Sequence, residues 1–98
     1  VKQIIIVCSS GLGTSLMLKL NLERLLKEWN ISASVVNMDK TSVTAESPDL
    51  IIGAKQIVES INLQREVEII ALENIVNPEY LRKCLEASKT IQDCLLRN

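Results

Sequence analysis

The chain has 98 residues, 47% of them apolar, enough to bury the core of one compact domain over residues 1–98 and too few for two. Its 11 basic and 12 acidic side chains leave a net charge of -1, so no basic stripe marks a nucleic-acid surface. Histidine is absent, which removes the commonest general base and metal ligand; with Cys8, Cys84 and Cys94 widely spaced, neither a metal site nor a disulfide framework is expected.

Residues 3–7 are a β-branched run ending at Cys8 and read as a buried strand. The run is too short to cross a bilayer, and no signal-peptide pattern precedes it, so a cytoplasmic location is expected. Gly11 and Gly13 punctuate the chain next. From about residue 14 to 29, Leu18, Leu22, Leu25, Leu26 and Trp29 recur at helical spacing. Asn30 and Ile31 turn the chain into a second strand over 33–38. Residues 39–49 are polar and carry Pro48, which predicts a loop with at most a short helical turn. A brief third strand over 50–52, a helix over roughly 54–61 and a fourth strand over 66–72 follow. Asn77-Pro78 opens the last helix, on which Leu81, Cys84, Leu85, Ser88, Ile91 and Leu95 form one stripe.

This alternation predicts a three-layer α/β fold, a four-stranded parallel sheet with helices on both faces. The order expected is 2-1-3-4, flavodoxin- or Rossmann-like, with the most apolar strand central. Ligands of such sheets lie beyond the carboxyl ends of the strands, where strand order reverses. Cys8 stands at that end of the first strand.

The stretch Cys8-Ser9-Ser10-Gly11-Leu12-Gly13-Thr14-Ser15 is where specific chemistry concentrates. A loop of small residues between a strand and a helix turns its backbone N–H groups inward and forms an anion-binding nest. Gly11 and Gly13 allow the positive φ and close approach such a nest uses. Thr14 or Ser15 is expected to cap the helix, and the hydroxyls of Ser9, Ser10, Thr14 and Ser15 add donors for phosphate oxygens. Cys8 shares the site with the helix N-terminus, whose dipole lowers a thiol toward neutrality without help from His or Arg. A Cys ending a buried strand is otherwise a small core residue, but a bland turn does not need Gly-Leu-Gly among hydroxyls. Cys84 and Cys94, on the apolar stripe or at its edge, read as packing residues.

Rival readings of the loop fail on particular residues. A dinucleotide fingerprint needs Gly where Leu16 stands, and Asp39 only weakly echoes the ribose-binding acid. A Walker loop needs Gly-Lys before Ser or Thr. A low-molecular-weight tyrosine phosphatase, whose fold is related, needs Arg at the position of Thr14 to clamp the transferring group. Its leaving-group acid would have to be Asp39, Asp49 or Glu73, none of them marked by context.

The run from Cys8 through Ser15 and on through Leu16-Met17-Leu18-Lys19-Leu20-Asn21 resembles the IIB components of the bacterial phosphoenolpyruvate-dependent sugar phosphotransferase system. It is most similar to the ascorbate branch, with its Cys-Gly-x-Gly-x-Gly-Ser-Ser-like loop and Leu/Met-rich helix ending in Lys-x-Asn; Asp49-Leu50-Ile51-Ile52 is similar to the third strand. Ser9 stands where many relatives carry Gly. The resemblance implies that Cys8 accepts phosphate from the phosphohistidine of a IIA protein. It then passes the group to a sugar held by a membrane-embedded IIC transporter, with residues 9–15 binding the phosphate and no cofactor or metal involved. The galactitol branch has a related fold and loop, and a phosphatase or arsenate reductase of similar fold is the alternative enzyme. Leu12, apolar at the tip of a polar loop, is expected to contact the partners.

Overall fold

The computed structural model describes residues 2–7, 12–43, 48–59, 67–74 and 77–96, with the side chains of residues 12–15 and 40–41 outside that description. The elements are β1 (Lys2–Val7), α1 (Leu12–Glu28), β2 (Ala33–Met38), α2 (Lys40–Val43), β3 (Leu50–Ala54), α3 (Lys55–Val58), β4 (Glu68–Leu72), α4 (Pro78–Glu86) and α5 (Lys89–Leu96). The strands form a parallel sheet in the order β2-β1-β3-β4, as the alternation predicts.

Helices cover both faces. Ile4 and Ile6 pack with Leu18, Leu22, Leu25 and Leu26 of α1, Leu81 and Leu85 of α4, and Ile91 of α5. On the other face Ile5 and Val7 pack with Val43 and Val58. A strand covered on both faces has no solvent side to alternate toward, so β1 reads as a continuous apolar run.

Helix α1 ends in a Schellman motif. Asn30 has φ 57°, a left-handed conformation that Asn tolerates better than most residues. Its N–H donates to the carbonyl of Lys27 at 3.1 Å, and that of Ile31 donates to Leu26 at 2.8 Å. These bonds satisfy carbonyls the helix leaves over, and Ile31 joins the cluster that buries Leu26. The turn expected at Asn30 and Ile31 thus delivers the chain into β2.

The structure departs from expectation in several places. Helix α1 begins at Leu12, earlier than residue 14. Strand β3 runs on through Gly53 to Ala54. Helix α3 runs from Lys55 to Val58 with Glu59 as its C-cap, and residues 60 and 61 of the expected helix lie outside the described residues. The C-terminal stripe is split between two helices with a break at Ala87 and Ser88. Leu81, Leu85, Ser88 and Ile91 are buried as the stripe requires, whereas Leu95 is exposed.

That break has a long-range cause. Ser88 Oγ accepts from the Ile91 N–H at 3.3 Å and so caps α5, and the same hydroxyl donates to Glu68 Oε1 at 2.8 Å. The Glu68 carboxylate also accepts from the N–H groups of Lys89 and Thr90, each at 2.9 Å. A carboxylate from the start of β4 therefore stands at the N-terminus of α5, where the helix has unpaired donors and a positive dipole end.

Candidate functional site

The sheet topology places the carboxyl end of β1 at its switch point. β2 lies on one side of β1 and β3 on the other. The last residue of β1, Val7, is in register with Met38 and with Gly53. The crevice beyond these carboxyl ends is where doubly wound sheets hold ligands. Cys8, Ser9, Ser10 and Gly11, which join Val7 to the first residue of α1 in the sequence, lie outside the described residues.

Leu12, Gly13, Thr14 and Ser15 form the opening of α1. This corrects two details of the sequence reading. Thr14 and Ser15 are not N-caps, because the helix is under way two residues before Thr14 and the preceding position is Gly11. Gly13 lies on right-handed helical backbone, and no described glycine has a positive φ. The physical consequence favours an anion more directly than the expected arrangement. In a helix opening at residue 12, the N–H groups of Leu12, Gly13 and Thr14 have no intrahelical carbonyl to bond and face the crevice end of the helix. The hydroxyls of Thr14 and Ser15 and the Leu12 side chain lie outside the described residues.

Gly53, which the sequence reading passed over, controls how closely β3 meets β1 at their carboxyl ends. A Cβ there would stand 2.8 Å from the Val7 carbonyl oxygen and 2.9 Å from Val58 Cγ1, closer than real Cβ contacts. The signal was present: a glycine inside an otherwise apolar strand marks a close backbone approach.

The nominal acids separate. Asp49 precedes β3 at the opposite, amino-terminal edge, where its Oδ2 accepts from the Gln3 N–H at 2.8 Å and its Oδ1 lies 4.0 Å from Lys2 Nζ. It has no part in the crevice. Asp39 follows β2 at the carboxyl edge, and its Oδ1 accepts from the Ser42 N–H at 2.7 Å, which caps α2. Glu73 follows β4 at the same edge, 3.9 Å from Lys55 Nζ. Lys55 and Glu73 flank a groove of about 280 Å³ that Ala54, Gln56 and Leu72 also line.

Asn37 is a further polar group at this edge. Ala33 and Val35 of β2 pack into the cluster beneath α1, and the two-residue period of a strand puts Asn37 on that face. Its Oδ1 is buried with no hydrogen-bond partner among the described residues. Cys84 and Cys94 are half-buried and free, and Cys84 packs against the larger core cluster, in keeping with packing roles.

Comparison with known proteins agrees with the geometry. A family model described as the lactose/cellobiose-specific IIB subunit of the PTS system matches residues 3–87. The ascorbate-specific PTS system EIIB component of Mycoplasma pneumoniae is 27% identical over 84 residues, covering 84% of this chain and 88% of the relative. No described helix is long and apolar enough to cross a membrane.

Proposed function

The chain belongs to the lactose/cellobiose-type IIB family of the sugar phosphotransferase system, and from that membership we propose that it carries the phosphoryl group as a thiophosphate on Cys8. The observation that supports this most is topological: the segment holding Cys8 joins the central strand to the open N-terminus of α1 at the switch point of the sheet.

The chemistry has two balanced steps. The Cys8 thiolate attacks the phosphorus of a phosphohistidine on a IIA protein; the S–P bond forms as the N–P bond breaks, and the freed imidazole takes a proton. A sugar hydroxyl held by a IIC transporter then attacks the same phosphorus, the S–P bond breaks, and the thiolate is restored as the hydroxyl proton leaves to a base. Both steps gather negative charge on the equatorial oxygens of the transferring group. The amides opening α1 and the small side chains Ser9, Ser10, Thr14 and Ser15 supply preorganised donors for that charge. Ascorbate is the sugar, on the likeness to the mycoplasmal component; galactitol is the alternative to exclude.

The test is mass spectrometry after incubation with a IIA protein phosphorylated on its histidine. One phosphoryl group should be found on Cys8, absent in Cys8→Ser and retained in Cys84→Ser and Cys94→Ser. Phosphate persisting on another residue of Cys8→Ser would overturn the assignment. Phosphorylation of labelled ascorbate but not galactitol, in vesicles holding the transporter, tests the sugar.

A further inference from the structure

Helix α5 is started by a side chain from another element. Its first two amides, of Lys89 and Thr90, donate to the two oxygens of the Glu68 carboxylate, and the Ile91 amide donates to Ser88 Oγ. The Ser88 hydroxyl donates in turn to Glu68 Oε1 at 2.8 Å. One carboxylate from β4 therefore satisfies, directly or through Ser88, three donors that an isolated helix would leave open.

The other contacts that hold α5 in place are slight. Among the described residues Ile91 is its one buried apolar side chain, whereas α1 buries Leu18, Leu22, Leu25 and Leu26 and α4 buries Leu81 and Leu85. Thr90 Oγ1 donates to the Asp49 carbonyl at 3.3 Å, Gln92 Nε2 donates to the Glu86 carbonyl at 2.9 Å, and Asp93 Oδ2 lies 3.8 Å from Lys2 Nζ. These are solvent-facing contacts that water replaces at small cost. A helix of eight residues is also too short to persist alone, since isolated helices below about 12–15 residues are marginal in water. Once undocked, α5 unwinds.

We propose that α5 is a clasp that opens as one unit, undocking and unwinding together while the sheet and α1 stay folded, and that Glu68 with Ser88 is the catch that holds it shut. All four strands precede α5 in the chain and pair only with one another, so its release breaks no ladder of the sheet. The hinge is the break between α4 and α5 at Ala87 and Ser88. Opening uncovers the part of the core that Ile91 covers, on the face shared with α1 and α4. The anchors of α5 on the sheet, Glu68, Asp49 and Lys2, all stand at the starts of strands, at the edge opposite the crevice. The clasp therefore opens with the carboxyl end of the sheet intact, and the inference does not depend on the carrier reading of Cys8.

The experiment is native-state amide hydrogen exchange by NMR across a series of urea concentrations below the unfolding transition. It compares the amides of Lys89, Thr90, Ile91 and Gln92 with those of Ile5 and Ile6 in the central strand. In the parent chain the α5 amides should be protected, but at least about tenfold less than Ile5 and Ile6, and with a much weaker dependence on urea, because that dependence scales with the surface exposed on opening. Glu68→Gln, which removes the charge and one acceptor oxygen, should lower α5 protection at least about tenfold further. Ser88→Ala, which keeps the carboxylate and removes the bridging hydroxyl, should lower it in the same direction and serves as the test should Glu68→Gln fail to fold. Equal protection and equal urea dependence of α5 and β1 would show that the helix opens only with the whole chain, which overturns the proposal. So would α5 amides with no protection in the parent, because the helix would then not be held shut. Separate opening whose extent is the same in the parent and in the folded variants would remove Glu68 and Ser88 as the catch and overturn it equally.

Discussion

A Cβ on Gly53 would stand 2.8 Å from the carbonyl oxygen of Val7, the residue that leads into Cys8. β1 and β3 are thus held together at their carboxyl ends by the absence of a side chain. Gly53→Ala must push either Val58, whose Cγ1 would lie 2.9 Å away and can shift, or the Val7 backbone, which is pinned on both sides by its sheet partners. Overpacking of this kind costs about 1–3 kcal/mol. The variant should unfold at lower urea concentration and transfer phosphate more slowly than the parent at a temperature where both are folded. Unchanged midpoint and unchanged transfer would mean the strands separate at no cost to the loop.

Thr14 occupies the position at which a tyrosine-phosphatase loop would need Arg, and its backbone lies in the opening turn of α1. Thr14→Arg should strengthen binding of vanadate at the loop and shorten the lifetime of phospho-Cys8 in the absence of partners, because a guanidinium stabilises the charge that builds as water attacks. The gain should be partial, since Asp49 is at the far edge of the sheet and Asp39 is engaged in capping α2. A variant that binds vanadate more tightly yet keeps phospho-Cys8 as long as the parent would show that the missing Arg is not what preserves it.

Burial of Glu68 works to raise its pKa, but hydrogen bonds from Thr90, Ser88 and Lys89 outweigh it, and the carboxyl titrates below its ordinary value. A lowered folded pKa stabilises the protein above the unfolded value of about 4.3, and that contribution disappears as pH falls through the folded value. Glu68→Gln should therefore melt lower than the parent near neutrality, and the difference should shrink on acidification below about pH 4. Melting temperatures across this range check it; a constant difference would mean that the charge of Glu68 contributes nothing.

Asn37 Oδ1 is buried without a partner among the described residues, and an unpaired buried acceptor costs about 1–3 kcal/mol. Asn37→Val, close in size and suited to a strand, should raise the melting temperature by several degrees. A lower melting temperature in differential scanning calorimetry would show that the amide is bonded by a group of the loop.

Local signals in the sequence determined the sheet, the buried stripe of α1, the caps at Asn30 and Asn77, and the segment marked by Cys8. Each depends on neighbours a few residues away: the continuous run of β1, leucines one helical turn apart, an Asn ahead of Pro whose Oδ1 accepts from the N–H groups of Glu79 and Tyr80. Tertiary contacts decided the rest. One C-terminal stripe became two helices because Ser88 and Glu68, 20 residues apart, meet across the N-terminus of α5, and no helical period encodes that meeting. Gly53 matters only once β3 lies against β1. Asp49 resembles Asp39 and Glu73 in type but falls at the opposite edge, because parallel strands send all residues before them to one edge and all residues after them to the other. Leu16, Met17 and Leu20 differ from Leu18 and Leu22 only in which way the folded helix faces, and the core chose the stripe that the sheet could cover.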